Sequence, residues 1–302
     1  SWQANSGWIF EDTGVDPPVQ ELDYKKGGLD IDGEENLHLA AVDYRATHYN
    51  AYDKIHVYDE TTMGWSGGEV AEYFAANQAP KLRVDGNGTS HLAYNDRSYP
   101  DYAGSRLVYA TWDGSNYASE ILFTPVDVSN RSKGDVDSIA LAVFAGKAHI
   151  LWVESIRYTG QVRLNYSTNA SGSWVHETLD EPYPVLAISE TGIAIDSGGV
   201  VHLHYKKHYD YYYASKNGGS WTIEGAPAGG IFKLDQDGLP IIAQGIYQGI
   251  SVFTREAADD WSETQIPTHS RPYLSNFLID AAARWHFIFK AGPSSQQRHL
   301  YR

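Results

Sequence analysis

Apolar and polar residues alternate in short segments along the chain, and the same arrangement of segments returns several times. Each copy has an apolar run ending in aspartate, a turn rich in small and polar residues, and a second apolar run containing a histidine. The clearest copies read DIDGEENLHLAAV (30–42), VDGNGTSHLAY (84–94), IDSGGVVHLHY (195–205) and IDAAARWHFIF (279–289). Alternation over four to eight residues predicts β-strands, and turn residues between two such runs predict hairpins.

Two weaker copies bring the number to six in 302 residues: LAVFAGKAHILWV (141–153) and LDQDGLPIIAQ (234–244). A period of about 50 residues is typical of solenoids and propellers, in which each repeat needs its neighbours to bury its apolar faces. We therefore predict a single domain over residues 1–302.

Each copy contains two further predicted strands, a third with a central aromatic residue and a fourth that opens on an aromatic residue. The fourth-strand aromatics are Trp8, Trp65, Tyr117, Trp174, Trp221 and Trp261. The last copy ends after its third strand, and the first ten residues resemble an isolated fourth strand. The prediction is an all-β fold, a six-bladed β-propeller of four-stranded antiparallel blades, with the N-terminal strand around Trp8 closing the last blade.

One segment between a third and a fourth strand carries a family resemblance. STNASGSW (167–174) resembles the Asp-box turn, Ser-x-Asp-x-Gly-x-Thr-Trp, of the sialidase-like (BNR repeat) propellers. Asn169 stands at the aspartate position, Ser171 at the glycine and Ser173 at the threonine. The resemblance implies a propeller fold. It also implies a site on the face where the propeller lyases and sialidase-like hydrolases have theirs.

The charge of the chain limits its partners. The 38 acidic and 23 basic residues give a net charge of −15, which argues against nucleic acid as a partner. No apolar stretch reaches the roughly 18–20 residues needed to span a membrane. The start at Ser1 fits a processed secreted protein or a trimmed sequence. We expect a monomer that is secreted, extracellular or periplasmic.

Residues that recur in every copy cannot mark one asymmetric site. The repeated histidines are His38, His91, His149, His202 and His286, and Pro240 takes this position in the remaining copy. We predict that these histidines bond the adjacent turn or strand, because a propeller spaces equivalent positions too widely for one metal. No cofactor is predicted. A structural calcium ion in DIDGEEN (30–36) is the alternative.

The connections after the second strands differ between copies and are the better candidates for a site. In a propeller they lie on one face around the central channel, and five of the six contain arginine or lysine, often beside tyrosine. Guanidinium groups bind carboxylates or sulfates, and aromatic faces bind sugar rings. The predicted substrate-binding residues on this face are Arg45, Tyr99, Arg97, Arg157, Lys207, Tyr247, Arg271 and Tyr273.

Four residues of these connections are predicted to be catalytic: His208, Tyr209, His48 and Glu154. The neighbouring lysines are expected to favour a neutral His208 and an ionised Tyr209, which suits a base. Glu154 is one of three acids followed by an arginine, with Asp43 and Asp96. Local ion pairing that only shapes the loops is the alternative for these three.

Three charged residues interrupt the predicted first strands: Asp30, Arg83 and Lys233. We expect them to form a paired polar network around the propeller axis, because buried charges require partners.

Together these features predict a secreted carbohydrate-active enzyme that acts on an acidic polysaccharide or oligosaccharide at a single site. β-Elimination by a polysaccharide lyase is slightly preferred to glycoside hydrolysis. The alternative is a non-catalytic lectin or adhesin. A multivalent lectin would repeat its loops, and these loops diverge.

Overall fold

The structure, a computed structural model, confirms that the chain is all-β. It describes residues 28–32, 36–43, 53–61, 64–74, 80–96, 105–124, 135–156, 160–184, 188–247, 249–268, 272–280, 282–291 and 297–301. These residues form 23 strands in six antiparallel sheets. No helix long and apolar enough to cross a membrane occurs within them.

Every sheet is built from strands that follow one another in the chain. The first two sheets consist of β1 (Gly28–Ile31), β2 (Leu37–Asp43), β3 (Asp53–Thr61) and β4 (Gly64–Phe74), and of β5 (Lys81–Val84), β6 (Ser90–Asp96), β7 (Arg106–Trp112) and β8 (Tyr117–Phe123). The next two consist of β9 (Asp135–Phe144), β10 (Lys147–Ile156), β11 (Gln161–Thr168) and β12 (Val175–Pro184), and of β13 (Ile188–Ile195), β14 (Val201–Lys207), β15 (Asp210–Lys216) and β16 (Thr222–Ala226). The last two consist of β17 (Ile231–Leu234), β18 (Pro240–Ile246), β19 (Gly249–Ala257) and β20 (Asp260–Pro267), and of β21 (Pro272–Ile279), β22 (Trp285–Ala291) and β23 (Gln297–Tyr301).

The first strands of successive sheets are neighbours, in the series β1, β5, β9, β13, β17 and β21. The sheets therefore follow one another around a common axis, as the blades of a propeller do. The last sheet has three strands among the described residues, as predicted. Its proposed fourth strand, around Trp8, lies outside them, so the closed ring of six blades and the single domain stay predictions.

Burial differs between the inner and outer strands of a sheet, and the second strands are the most buried. Second strands such as β6 are buried along almost their whole length, whereas the fourth strand β8 is mostly exposed. Each second strand lies between two neighbouring sheets, and the apolar clusters span these sheet pairs. In one cluster, Leu151 and Leu164 of the third sheet pack with Leu203 and Tyr205 of the fourth. This placement explains why the histidine strands are almost continuously apolar.

The repeated histidines bond the adjacent turns and strands, as predicted. Asp85 accepts hydrogen bonds from the backbone N–H groups of Asn87 and Thr89, 2.9 and 3.0 Å away, and thereby closes the β5–β6 turn. His91 Nε2 lies 3.3 Å from Asp85 Oδ2, and His91 Nδ1 lies 2.6 Å from the Tyr109 hydroxyl on β7. The histidine thus joins the turn, the second strand and the third strand.

The same chain of contacts recurs in other sheets. His202 lies 3.4 Å from Asp196 and 2.7 Å from the Tyr213 hydroxyl. His149 also contacts a third-strand hydroxyl, that of Tyr166. Burial lowers the pKa of His149 to about 4, which keeps its imidazole neutral at neutral pH. These histidines are structural.

The repeated tryptophans connect neighbouring sheets. Trp174 meets Tyr109 of the preceding sheet edge-on with ring centroids 5.0 Å apart, and Trp221 meets Tyr166 at 5.1 Å. Trp261 meets Tyr213 in the same way at 5.9 Å. Such edge-to-face pairs stabilise the sheet interface beyond the area they bury. The repeat therefore extends from an aspartate turn to the tryptophan of the next sheet.

One prediction about the repeat was wrong by one residue. Lys233 pairs with Ile241 across β17 and β18, in the register in which Arg83 pairs with His91. Ile241, rather than Pro240, therefore takes the histidine position in the fifth sheet. Ile241 is buried, so an apolar contact replaces the hydrogen bonds there.

Candidate functional site

The connections between second and third strands lie at the end of each sheet where its first strand begins. Lys207, the last residue of β14, pairs with Ile188, the first residue of β13. Ser155 of β10 pairs in the same way with Asp135 of β9. We call this end of the sheets the loop face, and the opposite end, with the aspartate turns, the hairpin face.

The predicted site residues that the structure describes all lie at the loop face: His208, Tyr209, Glu154, Lys207, Tyr247 and Tyr273. The remaining ones lie outside the described residues: His48, Arg45, Tyr99, Arg97, Arg157 and Arg271. The described ones come from the third to the sixth sheet.

His208 and Tyr209 form the two-residue turn between β14 and β15, which Lys207 and Asp210 close as a backbone pair. His208 has a φ of 60°, in the left-handed region that histidine visits more readily than most residues. The Tyr209 side chain is 82% exposed. The hairpin therefore presents the phenol of Tyr209 at its tip, whereas His208 is half-buried and its Nε2 is covered by the protein.

Lys207 is engaged within the protein, although the sequence placed it among the substrate-binding residues. Its Nζ donates hydrogen bonds to both carboxylate oxygens of Asp180 on β12, at 2.8 and 2.6 Å. Lys206 Nζ lies 5.3 Å from the ring centroid of Tyr211. Asp180 joins two neighbouring sheets through Lys207. The sequence analysis did not identify Asp180, because no recurring residue marks its position in the repeat.

Two carboxylates occupy equivalent positions at the loop face of neighbouring sheets. Asp96 and Glu154 each come five residues after a repeated histidine. Asp96 Oδ2 lies 3.4 Å from Arg106 Nη2, and Glu154 Oε2 lies 3.6 Å from Arg163 Nη1. The sequence analysis named Glu154 as catalytic and grouped Asp96 with it as a comparable acid, and the structure gives the two residues equivalent positions.

Burial raises the pKa of both Asp96 and Glu154, and the facing arginines oppose this effect. The side chain of Glu154 is 13% exposed and that of Asp96 18% exposed. Half-buried carboxyl groups with raised pKa values hold a proton at higher pH than ordinary ones, which is the property of a general acid.

Exposed tyrosines are the most distinctive apolar feature of the loop face. Tyr209 is joined there by Tyr247, 79% exposed in the β18–β19 turn, and by Tyr273, 71% exposed at the start of β21. Large aromatic side chains usually bury much of their surface. The fourth, fifth and sixth sheets thus each contribute one uncovered ring to the same face.

The first strands enclose a central cavity of about 460 Å³. Arg83 and Lys233 line it, as the interrupted alternation predicted. The predicted pairing of charges differs, because Asp30 Oδ2 accepts a hydrogen bond from the Val84 backbone N–H at 2.9 Å. Nowhere in the described ranges do three or more His, Cys, Asp or Glu side chains form a group that could hold a metal ion.

No protein-family model and no curated protein sequence matches the chain. Solved structures share its fold. The α-L-arabinofuranosidase Arb93A from Fusarium graminearum is 13% identical with a TM-score of 0.56, and the match covers 95% of this chain and 94% of that one. The α-L-arabinanase from Penicillium chrysogenum, in complex with arabinobiose, is 15% identical with a TM-score of 0.54 and 95% of both chains covered. The polysaccharide lyase Uly1 is 11% identical with a TM-score of 0.60, and the match covers 90% of this chain and 76% of that one.

At sequence identities this low, the structural similarity establishes the shared fold and nothing further. That fold is the β-propeller predicted from the repeat, and the proteins that share it include both glycosidases and polysaccharide lyases. The chain is a β-propeller protein.

Proposed function

We propose that this protein is a secreted or periplasmic enzyme that cleaves an acidic polysaccharide at the loop face by β-elimination. The observation that carries the proposal is the set of exposed tyrosines at the loop face, with Tyr209, Tyr247 and Tyr273 each more than two-thirds uncovered. Aromatic rings bind the apolar faces of sugar rings. Three rings from three successive sheets suit an extended polysaccharide rather than a single small ligand.

The His208 hairpin supplies the groups that elimination requires. A base takes the proton from the carbon beside the uronate carboxylate, and the C–H electrons form a carbon–carbon double bond. The glycosidic oxygen then leaves with a proton from an acid. The imidazole of His208 or the phenol oxygen of Tyr209 serves as the base. A cation beside the carboxylate makes that proton more acidic, and the arginines predicted for the loop face have this role.

Glycoside hydrolysis is the second candidate, and the two carboxyl groups favour it. Asp96 and Glu154 have raised pKa values at equivalent positions of neighbouring sheets. A pair of carboxyl groups in which one keeps its proton is the arrangement that glycoside hydrolases use. The two candidates share the substrate class and differ in the residues on which the reaction depends.

Product analysis separates the candidates. The protein is incubated with a panel of uronate-containing, sulfated and neutral polysaccharides, and both ultraviolet absorbance and new reducing ends are followed. Elimination yields an absorbing unsaturated uronate together with reducing ends, whereas hydrolysis yields reducing ends alone. Binding without either product would identify a lectin and would contradict the proposal, as would cleavage restricted to neutral chains.

A further inference from the structure

The central cavity has a composition unlike the rest of the molecule. Residues of β5, β9, β13, β17 and β21 line it, together with Gly230 just before β17. Its volume of about 460 Å³ lies within the range of small-molecule binding sites. Much of its wall is apolar, with Leu141, Ile193 and Phe232 among the lining residues. The cavity is therefore large enough for an ion, or for one sugar unit with its substituents.

The charged groups of this cavity have one sign. Among the described residues that line it, Lys81, Arg83 and Lys233 are cationic and none is acidic. Across the described ranges, no carboxylate lies within ion-pair distance of any of the three. Elsewhere in those ranges the ion-paired lysines and arginines are Arg106, Arg163, Lys207, Lys216, Arg255 and Arg284. Three cations without such a partner are notable in a chain whose net charge is −15.

The three cations repel one another. Partial desolvation and the nearby Arg83 both lower the pKa of Lys81, the one exposed residue of the three. Burial and Arg83 also lower the pKa of Lys233, and the Asp30 carboxylate only partly opposes them. A cluster of like charges in a partly desolvated cavity destabilises a fold unless something compensates it. An anion between them would attract each cation and thereby offset their mutual repulsion.

Hydrogen-bond donors accompany the charges. Arg83 uses Nη1 to donate to the carbonyl oxygen of Leu82 at 2.7 Å, which orients the guanidinium group and leaves further N–H groups. Asn276 accepts a hydrogen bond from the Phe277 N–H through Oδ1, at 2.8 Å, and its amide nitrogen thus remains as a donor. The cavity thus combines the planar guanidinium group of Arg83, the two lysine ammonium groups and the amide N–H donors of Asn276.

The wall that carries Lys233 is tightly constrained. A Cβ atom at Gly192 would lie 2.8 Å from the Cβ of Phe232, so glycine is required where β13 approaches β17. Lys233 follows Phe232 directly on β17. The position of the lysine backbone is therefore fixed by the packing of the two first strands.

We propose that the central channel is a binding site for a compact anionic group, a carboxylate or a sulfate, held by Lys81, Arg83 and Lys233. The guanidinium group of Arg83 suits two oxygens of such a group, and the lysines act as point charges beside it. The site stands independently of the proposed polysaccharide cleavage. The anionic group comes either from a free anion or from an acidic substituent of a glycan.

Thermal unfolding and calorimetric titration test this site with the intact protein. Sodium sulfate and sodium glucuronate are each compared with sodium chloride at equal ionic strength. We expect saturable binding and a matching rise in Tm with sulfate, glucuronate or both. Lys233→Met and Arg83→Met should weaken that binding by about 10-fold or more. Without any anion, Lys233→Met should melt no lower than the original protein, because it removes repulsion.

Lys147→Met is the matched control, because it removes one positive charge from the exposed first residue of β10 at the hairpin face. It should bind both anions as the original protein does. The absence of any saturable anion effect would overturn the proposal, as would equal binding by Lys233→Met, Arg83→Met and the control. Displacement of an acidic oligosaccharide by sulfate would identify a glycan substituent as the occupant, whereas sulfate binding without displacement would identify a free anion. These measurements give the same answer whether or not the protein cleaves a polysaccharide.

Discussion

Carboxylates at the two ends of the same sheets have opposite properties. At the hairpin face, burial alone would raise the pKa of Asp85. The N–H groups of Asn87 and Thr89, together with His91, outweigh it and lower that pKa. At the loop face, burial raises the pKa of Asp96 and Glu154, and a single arginine opposes it in each case.

This difference separates structural residues from candidate functional ones. Hydrogen bonds within the protein stabilise the charge of the hairpin-face aspartates, so these residues have a structural role. The loop-face carboxyl groups have weaker internal partners and carry the proton affinity that chemistry requires. If the distinction holds, substitutions at the hairpin face should change stability, and substitutions at the loop face should change activity.

The largest expected effects come from replacing one histidine at each face by alanine. His208→Ala should reduce polysaccharide cleavage by about 100-fold or more, the usual contribution of a general base, and lower Tm only slightly, because alanine tolerates the left-handed φ of this position less well than histidine does. His202→Ala should lower the free energy of unfolding by about 1–3 kcal/mol, because the Tyr213 hydroxyl and Asp196 lose their partner. Its folded fraction should keep full activity. Initial rates and urea unfolding measure the two quantities.

His176→Ala is the control for His208→Ala, because His176 is an exposed histidine that lies near the hairpin face on β12. It should leave the cleavage rate unchanged. Full activity of His208→Ala would remove the hairpin from the mechanism. Complete loss of activity in folded His202→Ala would contradict the division between the faces.

The sequence predicts the contacts between residues that recur in every copy, but not the contacts between residues that occur once. The His91–Tyr109 and Tyr109–Trp174 contacts follow from residues that recur at fixed spacing, so the fold and the structural histidines could be derived from the chain alone. The Lys207–Asp180 pair could not, because a unique contact between two sheets leaves no periodic signal. The same holds for Arg83 and Lys233, which have no ion-pair partner among the residues that the structure describes, because this depends on how five first strands converge.

The next largest effect should come from removing one partner of a mostly buried ion pair near the hairpin face. Arg255 donates to both carboxylate oxygens of Glu224, at 2.7 and 3.0 Å, and its guanidinium carbon lies 4.9 Å from the Tyr213 ring centroid. Arg255→Met would leave the carboxylate of Glu224, only 6% exposed, without its partner. We expect a loss of about 3 kcal/mol in the free energy of unfolding.

Arg284→Met provides the comparison for Arg255→Met. Arg284 also pairs with a carboxylate, Asp280, but its own side chain is 59% exposed. An exposed pair of this kind contributes less than about 1 kcal/mol. Equal losses for the two variants in chemical denaturation would show that burial does not decide the strength of these pairs.

A smaller, pH-dependent effect is expected from Asp196→Asn at the hairpin face. Burial would raise the pKa of Asp196, but the Val200 N–H, His202 and the Gly198 N–H lower it overall. A lowered pKa in the folded state gives stability that is present above the unfolded value, about 4, and lost as pH falls through the folded value. The variant should therefore be less stable than the original protein by about 1 kcal/mol at pH 7. That difference should shrink below about pH 4. A pH-independent difference in urea unfolding would show that the charge is not its cause.

The smallest effect, of opposite sign, is expected from Glu154→Gln at the loop face. The pKa of Glu154 is raised by burial, so its stabilising contribution is present below the unfolded value and lost as pH rises through the folded value. At neutral pH the ionised carboxylate is partly desolvated and gains little from Arg163, which is 3.6 Å away and 40% exposed. At pH 7 the variant should therefore have a slightly higher free energy of unfolding than the original protein, by less than about 1 kcal/mol. At acidic pH the two proteins should unfold at the same urea concentration. Asp96→Asn should behave alike. A loss of stability at pH 7 in both variants would place these carboxylates with the structural aspartates, and would withdraw the support that they give to hydrolysis.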